Sequence, residues 1–481
     1  MADYPIKSIS ADTLEKLAKE ALSTFEVPGC AIAIVTRDKV LHEVGFGVRD
    51  ITKKDPIDPD TLFVIASCTK SFCTMSLAQL VDAGKLDWYK PVRDYMPDFR
   101  LWDETATAQT TARDLVSHQT GLPRHDTMWY KSGLSQAEVF QRLRYLEPNK
   151  GFRESYQYNN LMYMVAGLLV ERITGMSWND YVRQNILDPL GMKETHFSNT
   201  ETPSRPNYAL PHRKYKGKVR LIPFLNVDEI TPGGGMISCI REMKNWVQFH
   251  MSDGTWKGQK IISSTQLDMI HRPHVATEEK PDFPELFHTS YGLGWNIRSL
   301  RGHEIVAHPG NLEGFSALQS FSPAHGVGMI ILNNRAGSKL PFALSWALYD
   351  RLFGLSPIDW IGRYRAKEEK DANDALNYQK SLDKGRVSGT TPTHDLKEYT
   401  GVYTNPAYGK AEIELKDGKL VMSFHDMIFN LSHHHYNLFK GKNDLFDLQV
   451  RMSFHLDLKG KINKVGIDLM PELKKDIEFT R

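Results

Sequence analysis

The order of apolar segments is the feature that most restricts how this 481-residue chain can fold. Residues 30–35 (CAIAIV) and 40–48 (VLHEVGFGV), split by Thr36-Arg37-Asp38-Lys39, read as a β-hairpin. A helix precedes them: within 11–26, Leu14, Leu17, Ala21 and Leu22 share one stripe, and Pro28-Gly29 ends it. Residues 66–83 and 158–173 are strongly apolar helical stretches. Strands are predicted again at 302–308 and 326–333 (GVGMIILN), and a closing helix at 340–352. A hairpin, a long helical insert, more strands and a last helix fit an antiparallel sheet covered by helices, an α/β sandwich.

Residues 356–395 change character. They are polar and charged, then rich in Gly, Ser, Thr and Pro, which predicts a helix followed by a linker. From 396 to 481 short alternating segments take over, with Asp417-Gly418 as a hairpin turn between two of them. That pattern predicts a small all-β barrel or sandwich. The expected division is therefore 1–355, a helix and linker at 356–395, and 396–481.

Composition closes several other routes. Sixty Lys+Arg against 58 Asp+Glu leave a net charge of +2, which gives no long-range attraction for nucleic acid or an anionic membrane. The longest apolar run, 161–170, is far short of the roughly 20 residues that span a bilayer. Cys30, Cys68, Cys73 and Cys239 are too few to organise the fold by disulfides. Met1-Ala2-Asp3-Tyr4-Pro5 has no basic or apolar leader character, so no secretory signal is predicted and a cytoplasmic location is expected.

Three short patterns can carry chemistry. Ser67-Cys68-Thr69-Lys70 places a serine and a lysine at i and i+3, on one helix face. Serine is a poor nucleophile until a base takes its proton. Lysine serves as that base only when burial or nearby cations lower its pKa from about 10.4. The apolar residues 62–66, with Phe72, Met75 and Leu77, provide such a setting. The spacing alone does not decide the matter. It recurs at Ser381 and Lys384 in the polar stretch, and an N-cap serine with a solvated lysine is the other reading. Tyr158-Asn159-Asn160 opens the second apolar helix. A tyrosine near cations can act as phenolate base or proton shuttle, and Asn160 can hold the lysine and a substrate carbonyl. Seen alone it is also a core tyrosine beside a turn asparagine, and Tyr403-Thr404-Asn405 repeats the pattern. His308-Pro309-Gly310 follows an apolar segment, where glycine lets a substrate backbone approach, or where a strand simply ends in a turn.

Taken in order, the three resemble the serine β-lactamase and penicillin-binding-protein superfamily, in particular its class C β-lactamase-like branch of esterases, D-aminopeptidases and related peptidases. Residues 111–122 (TARDLVSHQTGL) are similar to the family's T-x-R-x-L-L-x-H-x-S-G-L segment. Residues 232–238 (PGGGMIS) are similar to P-x-G-G-x-x-S, and 291–295 (YGLGW) to Y-G-x-G-W. Residues 399–403 (YTGVY) and 405–409 (NPAYG) resemble the lipocalin-like domain attached to some peptidases of this branch, which implies an up-and-down barrel on a β-lactamase-like catalytic domain.

The resemblance implies roles. Ser67 would be the acyl-accepting nucleophile, Lys70 its base partner, Tyr158 the proton shuttle, and Asn160 the orienter of Lys70 and substrate. His308 and Gly310 would lie on an edge strand beside the acyl group. The backbone N–H groups of Ser67 and Asn311 would form the oxyanion hole. The third motif departs from the usual Lys-Thr-Gly, so the lysine and threonine that would bind a substrate carboxylate are absent. This argues against D,D-carboxypeptidase and efficient β-lactamase activity. His433-His434-His435 cannot easily converge on one ion from a strand, so no metal and no cofactor are expected. The expectation is a metal-independent serine hydrolase of small peptides, amides or esters, with homo-oligomer formation open. Acyl transfer, or a structural protein retaining the fold, are the alternatives.

Overall fold

The computed structural model describes residues 4–278, 280–443 and 448–481, without the side chains of residues 379 and 382–384. Eight strands form one antiparallel sheet. They are β1 (Gly29–Thr36), β2 (Val40–Gly47), β3 (Val275–Ala276), β4 (Leu286–Tyr291), β5 (Asn296–Leu300), β6 (His303–Leu312), β7 (Phe315–Ser322) and β8 (Val327–Asn333). Their order across the sheet is β2-β1-β8-β7-β6-β5-β4-β3. The first hairpin is thus closed against the last strand, and Cys30 to Thr36 pair in register with Asn333 to Val327.

Successive β1 residues face opposite sides, and both sides are covered. Ala31, Ala33 and Val35 join a core with α2 (Thr69–Asp82), α3 (Asn160–Thr174) and α4 (Ile240–His250). Cys30, Ile32 and Ile34 join the opposite core with α1 (Ala11–Thr24), α5 (Leu340–Leu352) and the start of α6 (Trp360–Lys384). This is the expected α/β sandwich, with the long insert between β2 and β3 forming the helical face that carries the site.

The C-terminal part is a closed eight-strand barrel that runs up and down in chain order. Its strands are β9 (Gly401–Asn405), β10 (Gly409–Lys416), β11 (Lys419–Phe424), β12 (Met427–His435), β13 (Leu438–Asn443), β14 (Leu448–Leu456), β15 (Ile462–Ile467) and β16 (Ile477–Thr480). Alternate residues, including Tyr403, Met422, Phe424, Phe439, Phe454 and Phe479, fill its interior. Asp417 and Gly418 both adopt positive φ (49° and 73°), the geometry that an Asp-Gly hairpin turn supplies. The barrel's core is continuous with that of the helical face. No described helix is long and apolar enough to cross a membrane.

Two expectations about the third motif are corrected. His308-Pro309-Gly310 is neither a strand-end turn nor part of an edge strand. It lies inside β6, which is bordered by β7 and β5. Pairing with β5 nevertheless stops at Ala307, while β7 continues to pair through Leu312. The half of β6 beyond Ala307 is therefore open on one flank, where a proline removes no ladder bond.

Candidate active site

The turn that presents Ser67 is strained and tightly seated. Ala66 takes φ +47°, uncommon for a residue with a Cβ, and Ala66–Cys68 form a single 3₁₀ turn ahead of α2. A side chain at Gly310 would overlap the Ile65 carbonyl, so β6 can approach this turn only with glycine there. Gly310 therefore acts behind the turn by close packing.

Three groups converge on Ser67 and Lys70, the side chains of Asn160 and Tyr158 and the Gly233 carbonyl. Lys70 Nζ lies 3.1 Å from Ser67 Oγ and 2.7 Å from Asn160 Oδ1, and it donates to the Gly233 carbonyl. The Tyr158 hydroxyl donates to Ser67 Oγ at 2.8 Å. Asn160 starts α3 beside the N-cap Asn159, and its Nδ2 donates to Asp126 Oδ1 at 3.1 Å. Asp126 Oδ2 accepts from Arg124 Nε at 2.6 Å. The Arg124 guanidinium lies 5.1 Å from the centre of the Tyr158 ring, and Lys70 Nζ lies 4.8 Å from the same centre.

This environment sets the charge states. Burial, helped by the Arg124 cation, holds the Lys70 amine well below the ordinary lysine range, with Asp126 opposing. Burial pushes the Tyr158 phenol up, although Arg124 and the Ser67 bond pull the other way. The phenol is thus neutral and a donor, and the phenolate-base option is disfavoured. His308 is pushed down to about 3 by burial and by Lys70. Its Nδ1–H donates to the Pro309 carbonyl at 2.7 Å, and Nε2 accepts from the Tyr291 hydroxyl at 2.9 Å. A neutral histidine stands where the superfamily usually has a lysine.

Ser67 opens onto two cavities. One, of about 420 Å³, is bordered by Arg124, Asp126, Trp129, Asn160 and Gly233. The other, of about 430 Å³, is bordered by Tyr156, Tyr158, Arg298, His308 and Phe342. Asn311 borders both.

Sequence reasoning quoted the segments of His118, Gly233 and Tyr291 without giving these residues a role, and did not single out Arg124, Asp126 or Tyr163, which with His118 and Tyr291 builds a buried ring cage behind Tyr158. His118 Nδ1 accepts the Asn159 N–H at 3.0 Å, and its ring lies 4.4 Å from that of Tyr158. The available signal was the run of ionisable residues Arg124-His125-Asp126, directly after the 111–122 segment. The competing sites fall elsewhere. Ser381 is exposed on α6 and donates to the Tyr378 carbonyl, while the Lys384 side chain lies outside the described residues. Tyr403 is buried in the barrel, bonded to the Tyr399 carbonyl at 3.0 Å. Of the histidine run, His433 Nε2 pairs with the Tyr436 carbonyl. Among the described residues, no group of three His, Cys, Asp or Glu could hold a metal.

An α/β sandwich with a serine, a buried lysine and a tyrosine clustered at its cavity defines a class, the serine hydrolases of the β-lactamase and transpeptidase fold. Within it, a model of the Beta-lactamase family matches residues 14–351, and the chain belongs to that family. A domain of unknown function, DUF3471, matches residues 385–481. An unguisins hydrolase of Aspergillus campestris is 28% identical over 426 residues, covering 84% of this chain and 78% of that protein. The octameric penicillin-binding protein homologue from Pyrococcus abyssi superposes with a TM-score of 0.64 at 20% identity, covering 95% of this chain and 98% of that one. EstCE1, a hydrolase with promiscuous acyltransferase activity, gives 0.62 at 17% identity over 72% of this chain and 98% of that one.

Proposed function

We propose that the protein hydrolyses small peptides, amides or esters through a covalent acyl-enzyme on Ser67, without a metal. The observation that carries this reading is the set of partners around the Lys70 amine. A neutral amine has two N–H bonds and one lone pair. Asn160 Oδ1 and the Gly233 carbonyl can only accept, so they take the two N–H bonds. The lone pair is then left facing the Ser67 hydroxyl.

In acylation, Ser67 Oγ bonds to the substrate carbonyl carbon and its proton passes to Lys70 Nζ. The carbonyl electron pair moves to oxygen, where the backbone N–H groups of Ser67 and Asn311 receive it. Such a donor typically contributes ~3 kcal/mol. Collapse breaks the bond to the leaving group, which takes the Tyr158 proton. Tyr158 regains a proton from the Lys70 ammonium, whose Nζ and the Tyr158 oxygen both lie within hydrogen-bond distance of Ser67 Oγ. In deacylation water replaces the leaving group and the proton transfers run in reverse. The neutral His308 does not supply the substrate-carboxylate charge that the lysine usual at this motif provides, which counts against β-lactams and D,D-peptides as substrates. The named activity of the unguisins hydrolase supports hydrolysis.

Acyl transfer is the second reading. Two cavities meeting at Ser67 leave room for an acyl group and an acceptor alcohol or amine, and EstCE1 combines the two activities. A panel of p-nitrophenyl esters and p-nitroanilides, run with and without an added alcohol, separates the readings. Hydrolysis predicts release of free acid, whereas a dominant ester product with the alcohol favours transfer. Failure to turn over any member would count against both.

A further inference from the structure

The residues that set the charge around Lys70 sit on a loop held from the other side by the barrel. His125 lies between Arg124 and Asp126, is buried, and adopts a left-handed backbone (φ 48°, ψ 30°). A residue with a Cβ persists there only where its surroundings hold it. Its Nε2 lies 2.9 Å from the Glu147 carbonyl, and its Nδ1 lies 2.7 Å from the Tyr408 hydroxyl. Burial keeps the ring neutral, pushed down to about 4. A carbonyl only accepts, so Nε2 carries the proton and Nδ1 accepts from Tyr408. The tyrosine hydroxyl of one folded unit thus completes a strained residue of the other.

Tyr408 is itself fixed. Asn405 Oδ1 accepts the N–H groups of Ala407 and Tyr408, at 2.8 and 2.9 Å, and Gly409 turns the chain at φ 83° into β10. Further bonds from the barrel hold the same loop. Thr127 Oγ1 donates to the Leu469 carbonyl, and the Asp426 N–H donates to the Lys131 carbonyl, each at 3.1 Å. On its inner side the loop presents Asp126 to Asn160 and Arg124 to Tyr158.

We infer that Tyr408 is a positioning residue for the Ser67 site: through His125 it holds Arg124 and Asp126 so that Asn160 turns its oxygen to Lys70 and Arg124 covers Tyr158. The inference rests on the Ser67 reading above. It gives the barrel a part in setting the reactivity of the site, carried by the segment 405–409. The other charged or titratable groups facing Lys70 are Tyr158, Tyr163, His118, His308, Cys68 and Cys73. All lie in the sandwich, outside the 124–131 loop that the barrel holds.

The test is Tyr408→Phe in the full chain, read by the rate of fluorophosphonate labelling across pH. Losing one buried hydrogen bond should slow labelling up to about tenfold. The acid limb should move to higher pH, because, of the two charges loosened, Arg124 lowers the Lys70 pKa more than Asp126 raises it. A purely structural tyrosine would lower thermal stability and leave that limb in place. Asp126→Ala should slow labelling further, and the double variant should be no slower than Asp126→Ala alone. Unchanged rate and limb in Tyr408→Phe, or effects that simply multiply in the double variant, overturn the inference. Hydrogen exchange of residues 122–131 gives a readout independent of chemistry. It should rise in folded Tyr408→Phe, and unchanged exchange rejects the positioning role. A wild-type chain that labels nowhere would instead refute the Ser67 reading, with the exchange result still deciding this one.

Discussion

Asn160 turns its side-chain oxygen, not its nitrogen, to Lys70, at 2.7 Å. The orientation is dictated from behind, because the Asp126 carboxylate can only accept and so claims the Asn160 amide nitrogen. An acceptor fixed on Lys70 is what leaves a neutral amine with its lone pair on Ser67. Asn160→Asp would put a charge there, raise the Lys70 pKa and protonate the base. Turnover near neutral pH should fall and recover partly as pH rises, measured as a pH profile of kcat/KM.

Tyr158→Phe keeps the ring beneath Arg124 and removes only the donor to Ser67. Turnover should fall by ~10²–10⁴, the range of a general acid–base group. Tyr403→Phe is the control. It should leave turnover unchanged and cost about 1 kcal/mol of stability for its lost bond to the Tyr399 carbonyl. Equal turnover in Tyr158→Phe would make Tyr158 a structural residue.

The fold was legible where burial and alternation agree. The first hairpin, the two apolar helices and the inward-outward pattern of the barrel all follow from simple periodicity. Strand β7 did not, because every one of its residues is buried although it contains Ser316, Gln319, Ser320 and Ser322. Gln319 donates to the Cys68 carbonyl and to Ser71, and Ser320 accepts from Tyr349. Polar groups satisfied inside the sheet break the apolar signal by which strands are read. The site shows the same division. Ser67, Lys70, Tyr158 and Asn160 stand in short contiguous patterns. Gly233 contributes a backbone carbonyl, which no side-chain pattern reports, and Asp126 acts through Asn160 from another segment.

Gly310→Ala should be severe despite its small size. The added methyl overlaps the Ile65 carbonyl and comes within 3.3 Å of Ala317 Cβ. Overpacking of this kind costs about 1–3 kcal/mol, and here it displaces the Ser67 turn. Thermal unfolding should shift down and labelling of Ser67 should collapse. A variant that labels at the wild-type rate would show that the turn can yield.

Acid should unfold the chain partly through its buried imidazoles. His308 titrates at about 3 in the fold against 6.5 unfolded, so the unfolded chain takes up the proton first. The stability it contributes is complete above pH 6.5 and is lost as pH falls toward 3. His118, His250 and His271 are depressed by burial and act in the same direction. Urea midpoints should fall across this window, less steeply in His308→Asn. An identical slope would mean that His308 ionises freely in the folded chain.

The central claim is that Ser67 is the nucleophile, and covalent trapping tests it most directly. The full chain, Ser67→Ala and Ser381→Ala are treated with a fluorophosphonate, weighed intact and mapped by peptide mass spectrometry. The account predicts one adduct on wild type and on Ser381→Ala, located on Ser67, and none on a folded Ser67→Ala. An adduct on another residue, or undiminished turnover in Ser67→Ala, would contradict it.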